Sequence, residues 1–366
     1  MGTYLCTHAL PPADPRLAAD AAVQFYQLNR LTEATRRVYE RSARRFCFFR
    51  RVSFQHFLQN LPVPPRVLAQ WAATLARGPD PLRPNTIASY LAGVAYYHVE
   101  AGHQSPLGLE PLASVLRGIT RVHGSAVVLP RFSVSIRHLS LVLRHVGSMQ
   151  IVPLEVMASA AWGAYSLAHL LRNAEAVPAH AGVRVVPRLC HSRVVLLSGV
   201  TFPLHDVLRM DARALPHPDS VSHMDLLLHS SKPDRRSAGA LVFGSASAYK
   251  YMVTFLRRHP FAAVLQKEAP LFPSAVPGPG GPAFPHPFTA LQLRPIFERL
   301  LDQVGVDRRG TAGLSFRSGG ATQLAEKGVS PALIQKMGRW SSDAYLRYLR
   351  SDLKATAEIL RSALSF

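Results

Sequence analysis

The chain has 366 residues, with 42 Lys and Arg against 22 Asp and Glu, a formal net charge of +20 and 48% hydrophobic residues. That length and apolar content suit two domains with real cores, and a basic excess spread along the chain points to a polyanionic partner such as nucleic acid. Three widely separated cysteines, Cys6, Cys47 and Cys190, exclude a disulfide framework and a zinc site, and the uncharged apolar stretch Val156 to Leu171 is too short to span a bilayer.

In chain order, residues 1–15 read as a flexible tail with no basic region ahead of an apolar block, so no signal peptide is expected. Residues 16–122 read as a helical domain. Thr32 caps a helix from Glu33 to about Arg51, Pro64 and Pro65 open one to Ala76, Asn85 caps one reaching Ala101, and Pro111 begins one ending at Gly124. In the first of these helices Val38, Ser42, Phe46 and Phe49 share one face, while Arg37, Arg41, Arg44 and Arg45 share another. The apolar face can pack while the arginines meet phosphate.

A linker over 123–132, with Gly124 and Pro130, separates this unit from residues 133–366. Helices are expected at 133–146 and 152–171, followed by the strand-like runs SRVVLLSGVTF, MDLLLHS and ALVFG, which suit a small antiparallel sheet. Residues 272–287, FPSAVPGPGGPAFPHP, read as a mobile loop. Further on, Gly328 ends a helix begun near Gly319. Ser330 and Pro331 start a short helix closed by Gly338, and Ser341, Ser342 and Asp343 start the helix that carries Tyr345 and Tyr348. Residues 351–366 place Leu353, Ala357, Leu360 and Leu364 on one apolar helical stripe that needs a groove. The expected fold class is α+β, mostly α.

Residues 314–350, LSFRSGGATQLAEKGVSPALIQKMGRWSSDAYLRYLR, gather an arginine, a short helix, a G-R-W turn and a tyrosine. This array resembles the C-terminal half of the active site of tyrosine recombinases, the phage-integrase superfamily. Arg317, Gly338, Arg339, Trp340 and Tyr348 fit that pattern, and Leu314 stands where the family has histidine. HLLRNAEAV, around Arg172 and Glu175, is similar to the family's first arginine motif, and Lys232, at the end of MDLLLHSS before Pro233, to its strand-turn lysine. TEATRRVYERSARRF and RPNTIASYLAGVAYYHVEAGHQSPL resemble its core-binding domain. F-R-S-G-G-A-T and G-R-W-x-S-D are similar to the eukaryotic mobile-element recombinases of DIRS-type retrotransposons and Cryptons.

The resemblance implies a helical, SAM-like core-binding domain followed by a mixed α/β catalytic domain, together clamping double-stranded DNA as a homo-tetramer. Arg172 and Arg317 would hold the phosphate, because a guanidinium fork stays charged and binds two oxygens at once. Lys232 would protonate the leaving 5′ oxygen and Trp340 would give its indole N–H to the phosphate. Tyr348 would be the nucleophile, with Tyr345, one turn away, as the rival. No cofactor and no metal is expected, because a phosphotyrosine conserves the bond energy that rejoining needs. An intracellular location is expected, nuclear in a eukaryote. Leu314 can neither accept nor donate a proton, so it implies either a slowed enzyme or a decayed one that only binds DNA, and Leu314→His should raise cleavage.

Overall fold

The computed structural model describes residues 31, 33–124, 131–180, 186–228, 239–309, 311, 313–340 and 346. The N-terminal tail, Thr32, Lys232, Tyr345, Tyr348 and the 351–366 stripe lie outside the described residues. The chain divides into two compact units, Met1–Val128 and Leu129–Phe366.

Within the described residues, the first unit is helical. It contains α1 (Glu33–Arg50), α2 (Phe54–Gln59), α3 (Pro65–Arg77), α4 (Pro84–Glu100) and α5 (Leu112–His123). Its core is aromatic: the Phe46 ring meets Trp71 at 5.1 Å and Phe57 at 5.9 Å, both edge-on. Helix α1 buries Ser42, Ala43, Phe46 and Cys47. Val38 does not join that face, being 48% exposed. The tight approach of α1 to α4 falls one turn later, where Ser42 leaves no room for a side chain at Gly93. Helix α4 starts after Arg83 with Pro84 in its first turn, so Asn85 lies inside it and is not the cap. Helix α2 has no counterpart in the sequence reading; at 6 residues it is too short to show a period, although Ser53 caps it by accepting from His56 N.

The second unit is built on α7 (Leu154–Ala168), whose residues from Ala158 to Leu167 are all buried. Around it lie α6 (Ile136–Ser148), α10 (Tyr249–Arg257), α11 (Ala290–Gln303) and α12 (Phe316–Glu326). A four-stranded antiparallel sheet has the order β3-β2-β4-β5, formed by β2 (Ser192–Leu196), β3 (Thr201–Pro203), β4 (Val221–Leu228) and β5 (Ala240–Ser245). These are the three strand-like runs, the first of them folding into β2 and β3. The described residues of this unit also form the short helices α8 (Asn173–Ala176), α9 (Leu204–Arg209) and α13 (Pro331–Met337).

A second, parallel pair joins β1 (Phe132–Ser133) to β6 (Leu314–Ser315), with Phe132 opposite Leu314. This pairing displaces the start of α6 from residue 133 to Ile136, where Ser135 forms a capping box with His138. The 272–287 segment differs from the mobile loop expected. Ser274 N donates to His286 O, His286 N to Val276 O, and Phe288 N to Phe272 O, so its non-proline residues tie its base together.

The start of α12 is fixed from two sides. Phe316 is fully buried, 4.9 Å from Trp162 and 5.0 Å from Phe297, both edge-on. On the other side Gly319 lies against the β1 exit, where a Cβ would come within 1.9 Å of the Val134 carbonyl oxygen. Neither backbone can yield cheaply, since the parallel pair holds one and the aromatic cluster the other. Gly319→Ala is therefore expected to destabilise the protein by about 1–3 kcal/mol, read as a lowered melting temperature. An unchanged melt would show that the two backbones are not locked together.

Candidate active site

Three arginines from three separate segments converge on one buried carboxylate. Arg172 lies in the junction between α7 and α8, where Leu170 turns the chain with a φ of 50° and Arg172 itself is extended. It is therefore the N-cap of α8, and Glu175 reaches back to it from the first turn: Arg172 N donates to Glu175 Oε2 at 2.9 Å and Arg172 Nη1 to Oε1 at 2.5 Å. Arg172 thus caps the helix whose first turn carries its own carboxylate partner.

Arg317 follows the anchored Phe316 and is 6% exposed. Ser315 caps α12 by accepting from Ser318 N at 3.1 Å, and the Ser318 hydroxyl lies 2.7 Å from that of Ser133. The Arg317 Nη1 is 3.9 Å from Glu175 Oε1, and its guanidinium lies 4.4 Å over the Trp340 ring. Trp340 is thus brought beside the second arginine.

Arg339 is the third cation. Its Nη2 donates to Glu175 Oε2 at 2.6 Å across 164 residues of sequence. Gly338 caps α13, and Arg339 after it takes a left-handed backbone with a φ of 55°, a conformation that favours glycine. Gly338 has no room for a side chain, because a Cβ would fall 1.6 Å from the Trp340 ring. The sequence reading used Arg339 only as part of a pattern. Its charge beside a G-W turn was the available signal, but the carboxylate it meets is remote in the chain.

The electrostatic balance is uneven. Three guanidiniums face one carboxylate, leaving two positive charges at side chains that are 35% exposed at Arg172, 7% at Arg317 and 12% at Arg339, with Glu175 at 8%. Burial pushes the Arg339 pKa down, against the opposing pull of Glu175, and the neighbouring Arg172 adds to the lowering. A guanidinium starts so high that it stays charged regardless. An excess of buried positive charge with fork-shaped donors suits a tetrahedral oxyanion such as a phosphodiester.

Leu314 lies in the packed interior. Its side chain is 1% exposed within the core of the second unit, and only its backbone serves the site, its carbonyl accepting from Asn173 Nδ2 at 3.3 Å. A histidine there would enter apolar surroundings, so Leu314→His carries a desolvation cost the sequence did not reveal. His169, near Arg172 in sequence, is fully buried, stacked 4.0 Å from Tyr165, and burial lowers its pKa to about 4. It is a core residue. Lys232, Tyr345, Tyr348 and His229 lie outside the described residues, and His286 is exposed at the base of the 272–287 segment.

In the first unit, Arg37, Arg41, Arg44 and Arg45 are all exposed along α1. Arg44 pairs with Glu40 at 2.7 Å and lies 4.7 Å over Phe54, while Arg45 donates to the Tyr90 hydroxyl at 3.0 Å. These contacts orient two of the four guanidiniums and leave their charge at the surface. Among the described residues no helix is long and apolar enough to cross a membrane, and no cluster of His, Cys, Asp and Glu could hold a metal ion.

A comparison of folds identifies the architecture. The Tn1549 transposon integrase in complex with circular intermediate DNA is similar over 93% of this chain and 97% of that one, at 15% identity and a TM-score of 0.50. The chain has the tyrosine recombinase fold. XerH site-specific recombinase in a post-cleavage complex with palindromic difH substrate matches over 83% of this chain and 70% of that one, at 15% identity and a TM-score of 0.49. A lambda integrase dimer bound to a COC′ core site matches over 90% and 75%, at 13% identity and a TM-score of 0.45. No family model and no curated protein matches the sequence.

The left-handed backbone at Arg339 separates two variants that both lose the guanidinium. Arg339→Gly relieves the φ of 55° and Arg339→Ala does not, so the glycine form is expected to be the more stable by about 1 kcal/mol. Thermal melts of the pair check this, and equal midpoints would mean that the turn is unstrained.

Proposed function

We propose that the protein cleaves and rejoins duplex DNA by transesterification through a 3′-phosphotyrosine. The observation that carries this reading is the meeting of Arg172 and Arg317 at one buried carboxylate on a tyrosine recombinase fold. Two forked cations held in place bind the non-bridging oxygens of a scissile phosphate and stabilise the charge that builds on them. The Tyr348 oxygen attacks phosphorus, the bond from phosphorus to the 5′ oxygen breaks, and that oxygen takes a proton from Lys232. Trp340, stacked on Arg317, holds that arginine in register and offers its indole N–H to the phosphate. Neither metal nor cofactor enters this chemistry.

Duplex DNA is the partner in this reading, contacted through the exposed α1 arginines Arg37, Arg41, Arg44 and Arg45 among others, and four protomers assemble on it. Integration or excision of a mobile element, in the nucleus of a eukaryotic host, is the setting that the F-R-S-G-G-A-T and G-R-W-x-S-D motifs favour. A second reading, a DNA-binding protein derived from a recombinase, is favoured by one observation: the Leu314 side chain lies in the core and brings no proton-transfer group to the site.

A nicked suicide duplex distinguishes the two, because it traps the covalent intermediate. The wild-type chain and Tyr345→Phe are expected to form a protein–DNA adduct that Tyr348→Phe does not, while all three bind duplex with an affinity that falls steeply with salt. An adduct mapped to Tyr345 would displace the nucleophile assignment. Salt-dependent binding without any adduct would establish the second reading.

A further inference from the structure

We propose that Arg339 is a third phosphate-binding guanidinium, and that it acts mainly on the charge that develops on the non-bridging oxygens as the DNA strand is cut. The proposal rests on the cleavage reading above and adds to it a residue and a role.

Four observations converge on Arg339. Its Nη2 shares the Glu175 carboxylate with Arg172, and Arg317 lies at the same carboxylate, so its guanidinium belongs to the same cluster. Its Nε and Nη1 are buried yet have no hydrogen-bond partner among the described residues, so two of its donor atoms are withdrawn from water and unused. Its backbone is held in a left-handed conformation where glycine is preferred, and Gly338 cannot take over its place because of the Trp340 ring. Unfavourable backbone that persists beside a cluster of charged groups points to a use for the side chain. A surface pair that merely trimmed the helix end would need neither the burial nor the strain.

The fourth observation is the charge count. Apart from Lys232, whose proton goes to the leaving oxygen in this reading, Arg172, Arg317 and Glu175 leave one positive charge, which matches a ground-state phosphodiester. Adding Arg339 leaves two, which matches the doubly negative pentacovalent transition state. Its contribution therefore falls on the rate of cleavage more than on DNA affinity. In that step the bond from the Tyr348 oxygen to phosphorus forms and the bond to the 5′ oxygen breaks. The phenol gives up a proton and the 5′ oxygen gains one, so no proton is lost or gained overall.

A role confined to ordering Glu175 makes a different prediction, and a methylphosphonate at the scissile position separates the two. Replacing a non-bridging oxygen by methyl removes one negative charge from both ground and transition states while leaving the bonds made and broken unchanged. Adduct formation is measured with the full chain on nicked duplexes carrying either linkage. Arg339→Ala is expected to slow it by about 10² to 10³-fold on the phosphodiester and by less than about 10-fold on the methylphosphonate, with duplex binding weakened far less than cleavage. Arg339→Gly, which suits the backbone better, is the second variant and should give the same pair of rates; Arg339→Lys should fall between it and the wild type on the phosphodiester. Equal slowing on both substrates, or none on either, overturns the proposal while the cleavage reading stands. A wild-type chain that forms no adduct on either substrate overturns both.

Discussion

The Glu175 carboxylate is the element on which the site depends. Three guanidiniums brought together without it would repel, each pair by several kcal/mol at the effective dielectric of a partly buried site. With it, two of the three are fixed by short charge-assisted bonds, at 2.5 Å to Arg172 and 2.6 Å to Arg339, and the third lies within 3.9 Å. The carboxylate cancels one charge and leaves two. It is thus an organiser of cations that keeps all three aimed at one place. Removing one member of such a buried set leaves the others uncompensated, so the cluster also ties the end of α7, the start of α12 and the end of α13 into one structure.

The backbone around that cluster is held where side chains are smallest. Gly319 lets α12 touch the exit of β1, Gly320 approaches Leu167 and Leu170 at the end of α7, and Gly338 makes room for the Trp340 ring. Phe316, wedged between Trp162 and Phe297, sets the start of α12, and Arg317 is the next residue. Packing on one side of a single peptide unit therefore determines where a guanidinium sits on the other. The same economy appears at α8, where Arg172 caps the helix that presents its own partner, Glu175.

Local signals made much of this legible in the sequence. Ser330 with Pro331, Gly328 and Gly338 mark helix ends by rules that operate within a few residues, and the described boundaries follow them. The three strand-like runs likewise became the antiparallel sheet. What the sequence hid is nonlocal. The two-residue strands β1 and β6 have too little length for a period, and their pairing spans most of the second unit. Val38 looked equivalent to Ser42 and Phe46 until the position of α4 decided which turn was covered. The proline-rich 272–287 segment looked unstructured because composition does not show which of its remaining N–H groups find partners. Arg339 stood in a recognisable turn, yet its partner is 164 residues away and its importance is invisible without that distance.

Leu314 then takes on a different meaning. In the sequence it is a missing histidine; in the fold its side chain belongs to the core and its carbonyl steadies Asn173 beside Arg172. A proton-transfer group at that point would serve a phenol that resists ionisation. On the proposed reading, a cluster with two uncompensated positive charges would weaken that resistance, since cations close to a phenol favour the phenolate. The help of a general base is typically about 10² to 10⁴-fold, and a preorganised donor contributes a comparable factor by stabilising the developing oxyanion. On the cleavage reading proposed above, a third guanidinium would supply by electrostatics an effect of the size that the histidine would supply by proton transfer. On that account the leucine and the additional arginine form a single arrangement, in which the core gains an apolar side chain and the site keeps its means of handling charge.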